Sequence, residues 1–341
     1  MSQPDYDISV IICAYTEDRW GDLVASVESV RCQTLPPGEV IVVVDHNPRL
    51  LRRAQEHLQG VVVVENTDVR GLRGARNSGI AAARGEIMAF LDDDAVAVPD
   101  WLLFLCAGYT DALVLGTGGE VTPLWMGGKP AWLPEEFYWV VGCTYRGMPE
   151  AVQPIRNPIG ANMSFRRELF DLVGDFHSQN GHVGPRHAGG CEETELCIRL
   201  RQRRPECVFL YQPRAQVFHR VPRNRTSWRY FCRRCYIEGL AKAVVARHLG
   251  ARDSLVSERD YTLRTLPQGV IHGLTDTLFH RDPAGLARAA TIIVGLATTT
   301  AGFLAGSPLV RAAAKDVVTG KKDHHGSGVG EGIALERELP G

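Results

Sequence analysis

Apolar and polar positions follow two rhythms along the first hundred residues. Short, nearly continuous apolar runs fall at residues 8–13, 40–45, 61–65 and 87–91, with the length and composition of buried strands. Between them the spacing turns helical. Leu23, Val27 and Val30 share one face within residues 18–33, Leu50, Leu51, Ala54 and Leu58 mark a shorter helix, and another runs through Ala81-Ala82-Ala83. Strands alternating with helices predict an α/β chain with a doubly wound, mostly parallel, Rossmann-like sheet.

Further along the pattern loosens. Residues 116–134 are rich in Gly and Pro and predict irregular chain. The cluster Trp132, Phe137, Tyr138 and Trp139 predicts core or lid packing ahead of a sugar-stacking platform. Residues 159–166 and 208–219 read as short strands, and residues 193–203 and 227–248 as helices, the second stopped by Gly250. Residues 289–310 carry no charge over 22 positions, enough to cross a bilayer. Four threonines, three glycines, Ser307 and Pro308 dilute the stretch. Gly302-Phe303-Leu304-Ala305-Gly306 has the small-residue spacing at which membrane helices approach closely, and Lys315, Lys321 and Lys322 follow. A membrane contact and a helical hairpin buried against the preceding domain both stay open. The expected organisation is a domain at residues 1–250, a helical extension at 251–315 and a disordered tail at 316–341.

Composition narrows the functional classes. The 341 residues, 45% of them hydrophobic, can bury one large core or two smaller ones. With 38 basic against 39 acidic residues, no bulk field points to nucleic acid. Only residues 199–234 are biased, with eleven arginines and the single acid Glu206. Nine scattered cysteines and the polar start Met1-Ser2-Gln3-Pro4-Asp5 predict reduced thiols and a cytoplasmic location. Cys232-Arg233-Arg234-Cys235 has the spacing of half a zinc ribbon, but no second pair accompanies it and it falls inside a helical pattern.

The polar punctuation of the sheet carries the chemistry. Asp92-Asp93-Asp94 ends the fourth apolar run, and three adjacent carboxylates repel one another unless a cation sits between them. A hard divalent ion, Mn²⁺ or Mg²⁺, answers that need and brings phosphate oxygens with it. A solvated acidic turn is the plainer reading; the place at the carboxyl end of a strand favours the metal. Asp45 ends the second strand, while Asn66 and the string Arg70-Gly71-Leu72-Arg73-Gly74-Ala75-Arg76-Asn77-Ser78-Gly79 follow the third. All converge on one sheet edge. Together they match a nucleoside diphosphate: carboxylates for base and ribose, arginine for phosphate, an acid triplet for metal. No Gly-x-Gly-x-x-Gly follows the first strand and no Gly-x-x-x-x-Gly-Lys-Ser/Thr occurs, which argues against a dinucleotide dehydrogenase and excludes an ordinary P-loop NTPase.

In this order the motifs resemble those of the inverting family 2 glycosyltransferases with a GT-A fold, over roughly residues 7–245. The resemblance rests on Ile8-Ser9-Val10-Ile11-Ile12-Cys13-Ala14-Tyr15, Ala75-Arg76-Asn77-x-Gly79 and Phe90-Leu91-Asp92-Asp93-Asp94. It continues with Gly160-Ala161-Asn162-Met163-Ser164-Phe165-Arg166-Arg167 and with Glu192-Glu193-Thr194-Glu195-Leu196 ahead of Arg199-Leu200. It implies a nucleotide-sugar half near residues 1–115 and an acceptor half near 116–250. Asp45 resembles the acid that recognises the base, uracil most commonly. Arg76 and Asn77 resemble part of the loop over the nucleotide, and Asn162 falls among the donor-side residues. Asp92 or Asp93 would touch ribose, and Asp94, with Asp92, would hold the metal. Where the family reads Asp-Asp-Gly or Asp-Gly-Ser, this chain has Asp45-His46-Asn47-Pro48.

Inverting displacement of a nucleoside diphosphate needs a carboxylate to deprotonate the acceptor hydroxyl. The family places it in an acidic pair opening a helix, so Glu193 is the implied base and Glu192 the alternative, although acids in a first helical turn are favoured by the dipole alone. His219 is implied as a metal or pyrophosphate contact, and Arg225 as a stabiliser of the departing diphosphate. The implied partners are a UDP-sugar donor and a carbohydrate or lipid-linked acceptor, in envelope polysaccharide or glycolipid synthesis, with no nucleic acid. Residues 289–310 would add a contact at the cytoplasmic face of a membrane. Acceptor loops are expected at 116–152 and 176–190, the latter with His177, His182 and His187. Two rivals remain. A sugar nucleotidyltransferase would want a Gly-rich basic loop after the first strand, which Cys13-Ala14-Tyr15-Thr16-Glu17 lacks. An anionic-polymer or lipid binding module would use the arginines of 199–234.

Overall fold

The computed structural model describes residues 6–177, 191–250 and 256–318. The expected tail beyond residue 318, and His182 and His187 of the expected acceptor loop, lie outside the described residues. In chain order the first elements are β1 (Ile8–Ala14), α1 (Trp20–Arg31), β2 (Glu39–Val44), α2 (Pro48–His57), β3 (Val62–Glu65), α3 (Leu72–Ala82), β4 (Ile87–Asp92), β5 (Ala95–Ala97) and α4 (Trp101–Ala107). There follow β6 (Val114–Trp125), β7 (Gln153–Ile155), β8 (Asn162–Arg166), α5 (Arg167–Val173), α6 (Glu192–Arg203), β9 (Val208–Val221) and α7 (Trp228–Leu249).

One sheet runs in the order β3-β2-β1-β4-β8-β6-β9-β5, with β7 on the flank of β9. Its first four strands are mutually parallel. They read as unbroken apolar runs because β1, β2 and β4 are covered on both faces. The second half is mixed: β8 lies antiparallel between β4 and β6, β6 is parallel to β9, and β5 and β7 are antiparallel to β9. The carboxyl ends of β1, β2 and β4 therefore open toward the strands that follow, at the point where the sheet changes character.

Of the glycine-rich stretch expected to be irregular, residues 126–134 are irregular, while its first part, residues 116–125, belongs to the long strand β6. Its glycines answer to crowding. A Cβ on Gly116 would lie 2.7 Å from the rings of both Phe165 and Phe209, and one on Gly119 would overlap the Ala215 carbonyl. Glycine within a strand marks such close approach as readily as it marks a turn.

Beyond α7 the chain forms a helical hairpin, α8 (Leu266–Phe279) and α9 (Ala284–Val318), preceded by helical turns at Val256–Asp260 and Tyr261–Thr265. The inner face of α9 is seated on α7. A Cβ on Gly239 would strike the Thr299 carbonyl and one on Gly302 the Tyr236 carbonyl, so the small-residue spacing brings α9 onto the helix of the preceding domain. The outer faces are also apolar. Leu286, Ile293 and Leu304 on α9 and Ile271, Leu274, Leu278 and Phe279 on α8 are exposed, the last two by 74% and 77%. Ala284–Ser307 is long and apolar enough to cross a membrane by length and composition. Gly239→Ala is expected to cost about 1–3 kcal/mol through overpacking, read as a lower denaturation midpoint. An unchanged midpoint would contradict the seating of α9 on α7.

Candidate active site

The turn from β4 into β5 builds the centre of the site. Asp92 closes β4 beside Cys13 of β1. Asp93 and Asp94 make the turn, and β5 then pairs with β9 so that Ala95 stands opposite His219 and the Arg220 N–H donates to the Asp94 carbonyl at 2.9 Å. That pairing delivers His219 to the acid triplet from 125 residues away in the chain. One carboxylate oxygen each from Asp92 and Asp94 and a ring nitrogen of His219 lie within 4.8 Å of one another.

The charges there stand within a few ångströms of one another. Arg19, in the turn after β1, spans Asp93 Oδ1 at 3.0 Å and Asp94 Oδ2 at 2.9 Å. His219 Nε2 lies 3.1 Å from Asp94 Oδ1 and Arg225 3.8 Å from Oδ2. Burial disfavours a charged Asp94, but His219, Arg19 and Arg225 outweigh it and hold this carboxyl below its usual range. Burial would likewise discharge His219; Asp94, with Cys143 at its other nitrogen 3.6 Å away, holds it well above its ordinary value instead. Asp93 differs. Burial, with Asp94 and Asp92 adding, pushes it up to about 7 against the pull of Arg19, and its Oδ2 is buried without a hydrogen-bond partner.

At the neighbouring strand end, Asp45 anchors a loop. Its Oδ1 accepts from Asn66 Nδ2 at 2.6 Å and its Oδ2 from the Gly71 N–H at 2.9 Å, which leads into α3. Asn66 also accepts from Ser78 and from the Asp68 N–H, so one amide fixes the whole 66–78 stretch. His46 takes φ +49°, the left-handed region where glycine is usual, and its Nδ1 lies 2.9 Å from Asp45. The backbone thus keeps a glycine-like shape without the glycine.

Arg76, buried on α3, donates to the Gly160 carbonyl at 3.0 Å and stands 3.9 Å from Asp92 and 4.0 Å from Glu193. It links the acid triplet to the acidic pair. Asn77 and Asn162 are placed differently. The Asn77 amide clamps both backbone groups of Phe176 and donates to Asp68. Asn162 accepts from Trp101 and donates to the Glu120 and Ala215 carbonyls, tying α4, β6, β8 and β9 together. Neither lines the cavity.

Glu192 and Glu193 open α6 directly after Cys191, which holds φ +73°. A non-glycine residue in that conformation is strained and stands immediately before the first turn of α6. Both acids line a cavity of about 830 Å³ that also takes in Asp92, Arg76, His219 and Arg225. Enclosure raises the Glu193 carboxyl above its normal range, Arg76 opposing and Glu192 adding.

Residues 9–174 match the family described as Glycosyl transferase family 2. A glucosyl-dolichyl phosphate glucuronosyltransferase of Haloferax volcanii is 36% identical over 242 residues, covering 70% of this chain and 77% of the relative. The chain belongs to glycosyltransferase family 2. A mannosyltransferase of Pyrobaculum calidifontis, solved in complex with GDP-Man and Mn²⁺, superimposes over 93% of this chain and 88% of its own with a TM-score of 0.53 at 19% identity. The fold is GT-A, a curled sheet with helices on both faces and further helices at the C-terminal side.

Within this family 2 glycosyltransferase several site residues escaped the sequence. Arg19 is a lone cation in a polar turn, without period or motif. Arg156, Glu238, Lys242 and Glu258 line the far end of the cavity. Arg156 reaches Glu258 at 2.6 Å, Lys242 reaches Glu258 at 3.4 Å and Glu238 at 3.7 Å. Glu258 lies beyond residue 250, so the C-terminal helices help to close the site. The arginines of residues 199–234 form no common face. Arg199 pairs with Glu195, Arg204 with Glu206 and Arg220 with Asp22, Arg214 covers Phe104, and Arg225 and Arg234 turn into the cavity. That dispersal disfavours a phosphate-tracking surface.

Proposed function

We propose that the chain transfers a sugar from a UDP-sugar donor, with inversion and with the help of Mn²⁺ or Mg²⁺, to a hydroxyl of a lipid-phosphate-linked acceptor at a membrane surface. The observation that carries this reading is the cavity itself, lined by Asp92 and His219 of the donor set, with Asp94 buried behind them, and by the enclosed Glu193. Two carboxylates and an imidazole suit Mn²⁺. The unpartnered Asp93 Oδ2 beside them fits a site built for more positive charge than Arg19 brings. Asp92, Asp94 and His219 would hold the ion, with Cys143 fixing the imidazole from behind. A divalent ion there supplies Lewis-acid stabilisation of the leaving diphosphate.

The chain's own groups do the rest. Asp45, held by Asn66 and Gly71, retains acceptor capacity for a base N–H. Arg225 stands where charge collects on the leaving group. Glu193 takes the proton of the acceptor hydroxyl, and Arg76, 4.0 Å away, opposes the effect of burial on its carboxyl. Because Glu193 must be ionised to act and its carboxyl is raised, the acid limb of the rate profile is expected above the ordinary glutamate range. A limb at or below pH 4.3, the free-glutamate value of about 4.3, would contradict that role.

The name of the Haloferax relative and the apolar outer faces of α8 and α9, which would lie in the plane of the bilayer surface, support the lipid-linked acceptor. Two measurements test the whole reading. UDP- and GDP-sugars are assayed with and without Mn²⁺ against phospholipid-linked glycosides, and binding to anionic vesicles is compared with that of the Leu278→Ser/Phe279→Ser variant. Metal-dependent release of UDP with product formation, and a severalfold loss of vesicle binding in the variant, are expected. Metal-independent pyrophosphate exchange would mark a nucleotidyltransferase instead.

A further inference from the structure

The Cys232-Arg233-Arg234-Cys235 string is not a metal half-site: Cys235 is fully buried and Arg233 points outward. Arg234 does something else. Tyr230, Arg234, Glu238 and Lys242 recur every four residues on α7 and all line the cavity, so one face of this helix forms its wall. The charged groups beside it at this end of the cavity are compensated. Glu238 accepts from Cys191 Sγ at 3.5 Å and lies 3.7 Å from Lys242. Lys242 and Arg156 share Glu258. Arg234, one turn from Glu238, does not use that obvious partner. Among the described residues its guanidinium has no hydrogen bond and no ion pair.

The cavity walls carry seven Arg and Lys side chains against five carboxylates. Arg225, just before α7, stands at the acid triplet. From the start of α7 at Trp228 to Arg234 is six residues, about 9 Å along the axis at about 1.5 Å per residue. Arg234 is therefore displaced from the diphosphate end toward the place of the transferred sugar and the acceptor.

We infer that Arg234 is a specificity-determining residue that binds a second anionic group of the substrates, either the phosphate of the acceptor or a carboxylate on the transferred sugar. A guanidinium with its donors unspent, in a partly enclosed cavity, is suited to two-pronged recognition of either oxyanion. The inference rests on the transfer reading above and names the substrate chemistry of the same site.

The test uses the full chain, wild type and with Arg234→Gln or Arg234→Lys. Two donors, UDP-glucuronate and UDP-glucose, are compared with one acceptor. Two acceptors, octyl phosphate-linked glucose and octyl glucoside, are compared with one donor. Arg234→Gln is expected to raise the KM of the anionic probe relative to its neutral counterpart by about tenfold or more, the scale of one hydrogen bond to a charged group, with a smaller change in kcat. Arg234→Lys should recover part of it, since charge remains and the fork does not. A change confined to the donors assigns the sugar carboxylate, and one confined to the acceptors assigns the phosphate. Equal KM ratios in all variants, or a uniform loss of kcat with every probe, would overturn the inference. Calorimetric titration of UDP-glucuronate and octyl phosphate-linked glucose gives the same comparison without turnover. A wild type that binds but transfers nothing thus counts against the transfer reading alone.

Discussion

Glu193→Gln is expected to lower the transfer rate by about 10²–10⁴-fold, the range a positioned general base supplies, while UDP affinity in Mn²⁺ stays within a few-fold of wild type. The separation follows from geometry. Glu193 sits on α6 across the cavity from the acid triplet, and its contact with that side runs through Arg76, 4.0 Å from its own carboxylate and 3.9 Å from Asp92. Amide replacement keeps size and removes only the proton acceptor. Glu192→Gln, measured in parallel, is expected to be the milder variant, because Glu192 lies beside the same wall without the contact to Arg76. Near-wild-type transfer by Glu193→Gln would remove the base role from it, and a dead Glu192→Gln would move that role one residue back. Single-turnover rates with calorimetric UDP binding separate chemistry from affinity.

Asp94→Asn is expected to be as damaging for a different reason. This carboxylate faces His219, Arg19 and Arg225 at once. Losing its charge leaves the buried His219 without its counterion, while Arg19 keeps Asp93; removing one partner of a buried pair costs about 3–5 kcal/mol. It also removes a donor from the Asp92–Asp94–His219 set. Mn²⁺ affinity should fall beyond the roughly 10–100-fold seen for loss of an outer partner, and transfer with it. Electron paramagnetic titration of Mn²⁺ against a thermal melt separates the two effects. His219→Gln serves as the second variant, since it removes a donor while leaving the Asp94 carboxylate paired with Arg19. Unaltered Mn²⁺ affinity in both variants would place the ion elsewhere.

The sheet's first half was open to reading because parallel strands covered on both faces must be apolar throughout, as β1, β2 and β4 are. The same physics exposes Asp45 and Asp92, since polar residues at the ends of such runs stand out. The second half was hidden. β6 carries its glycines for the bulk of Phe165 and Phe209 and so resembles a loop in one dimension. Asn77 and Asn162 carry the family's motifs but spend their amides on Phe176, Glu120 and Ala215 backbone groups, a role that spacing does not reveal. Arg156 and Glu258 meet across 102 residues, and no periodicity reports such a pair. The cavity face of α7, Tyr230, Arg234, Glu238 and Lys242, was missed: the sequence predicts a helix there and the Cys232/Cys235 spacing is incidental, but a polar four-residue recurrence looks like an ordinary solvated face.

The most direct measurement is calorimetric titration of UDP into wild type and Asp94→Asn, each with and without Mn²⁺. Ion and diphosphate sharing one site predicts that Mn²⁺ tightens UDP binding at least about tenfold in the wild type, a coupling of roughly 1.4 kcal/mol, and that the gain disappears in the variant. Equal UDP affinity with and without the ion, or a gain that survives neutralisation of Asp94, would contradict it.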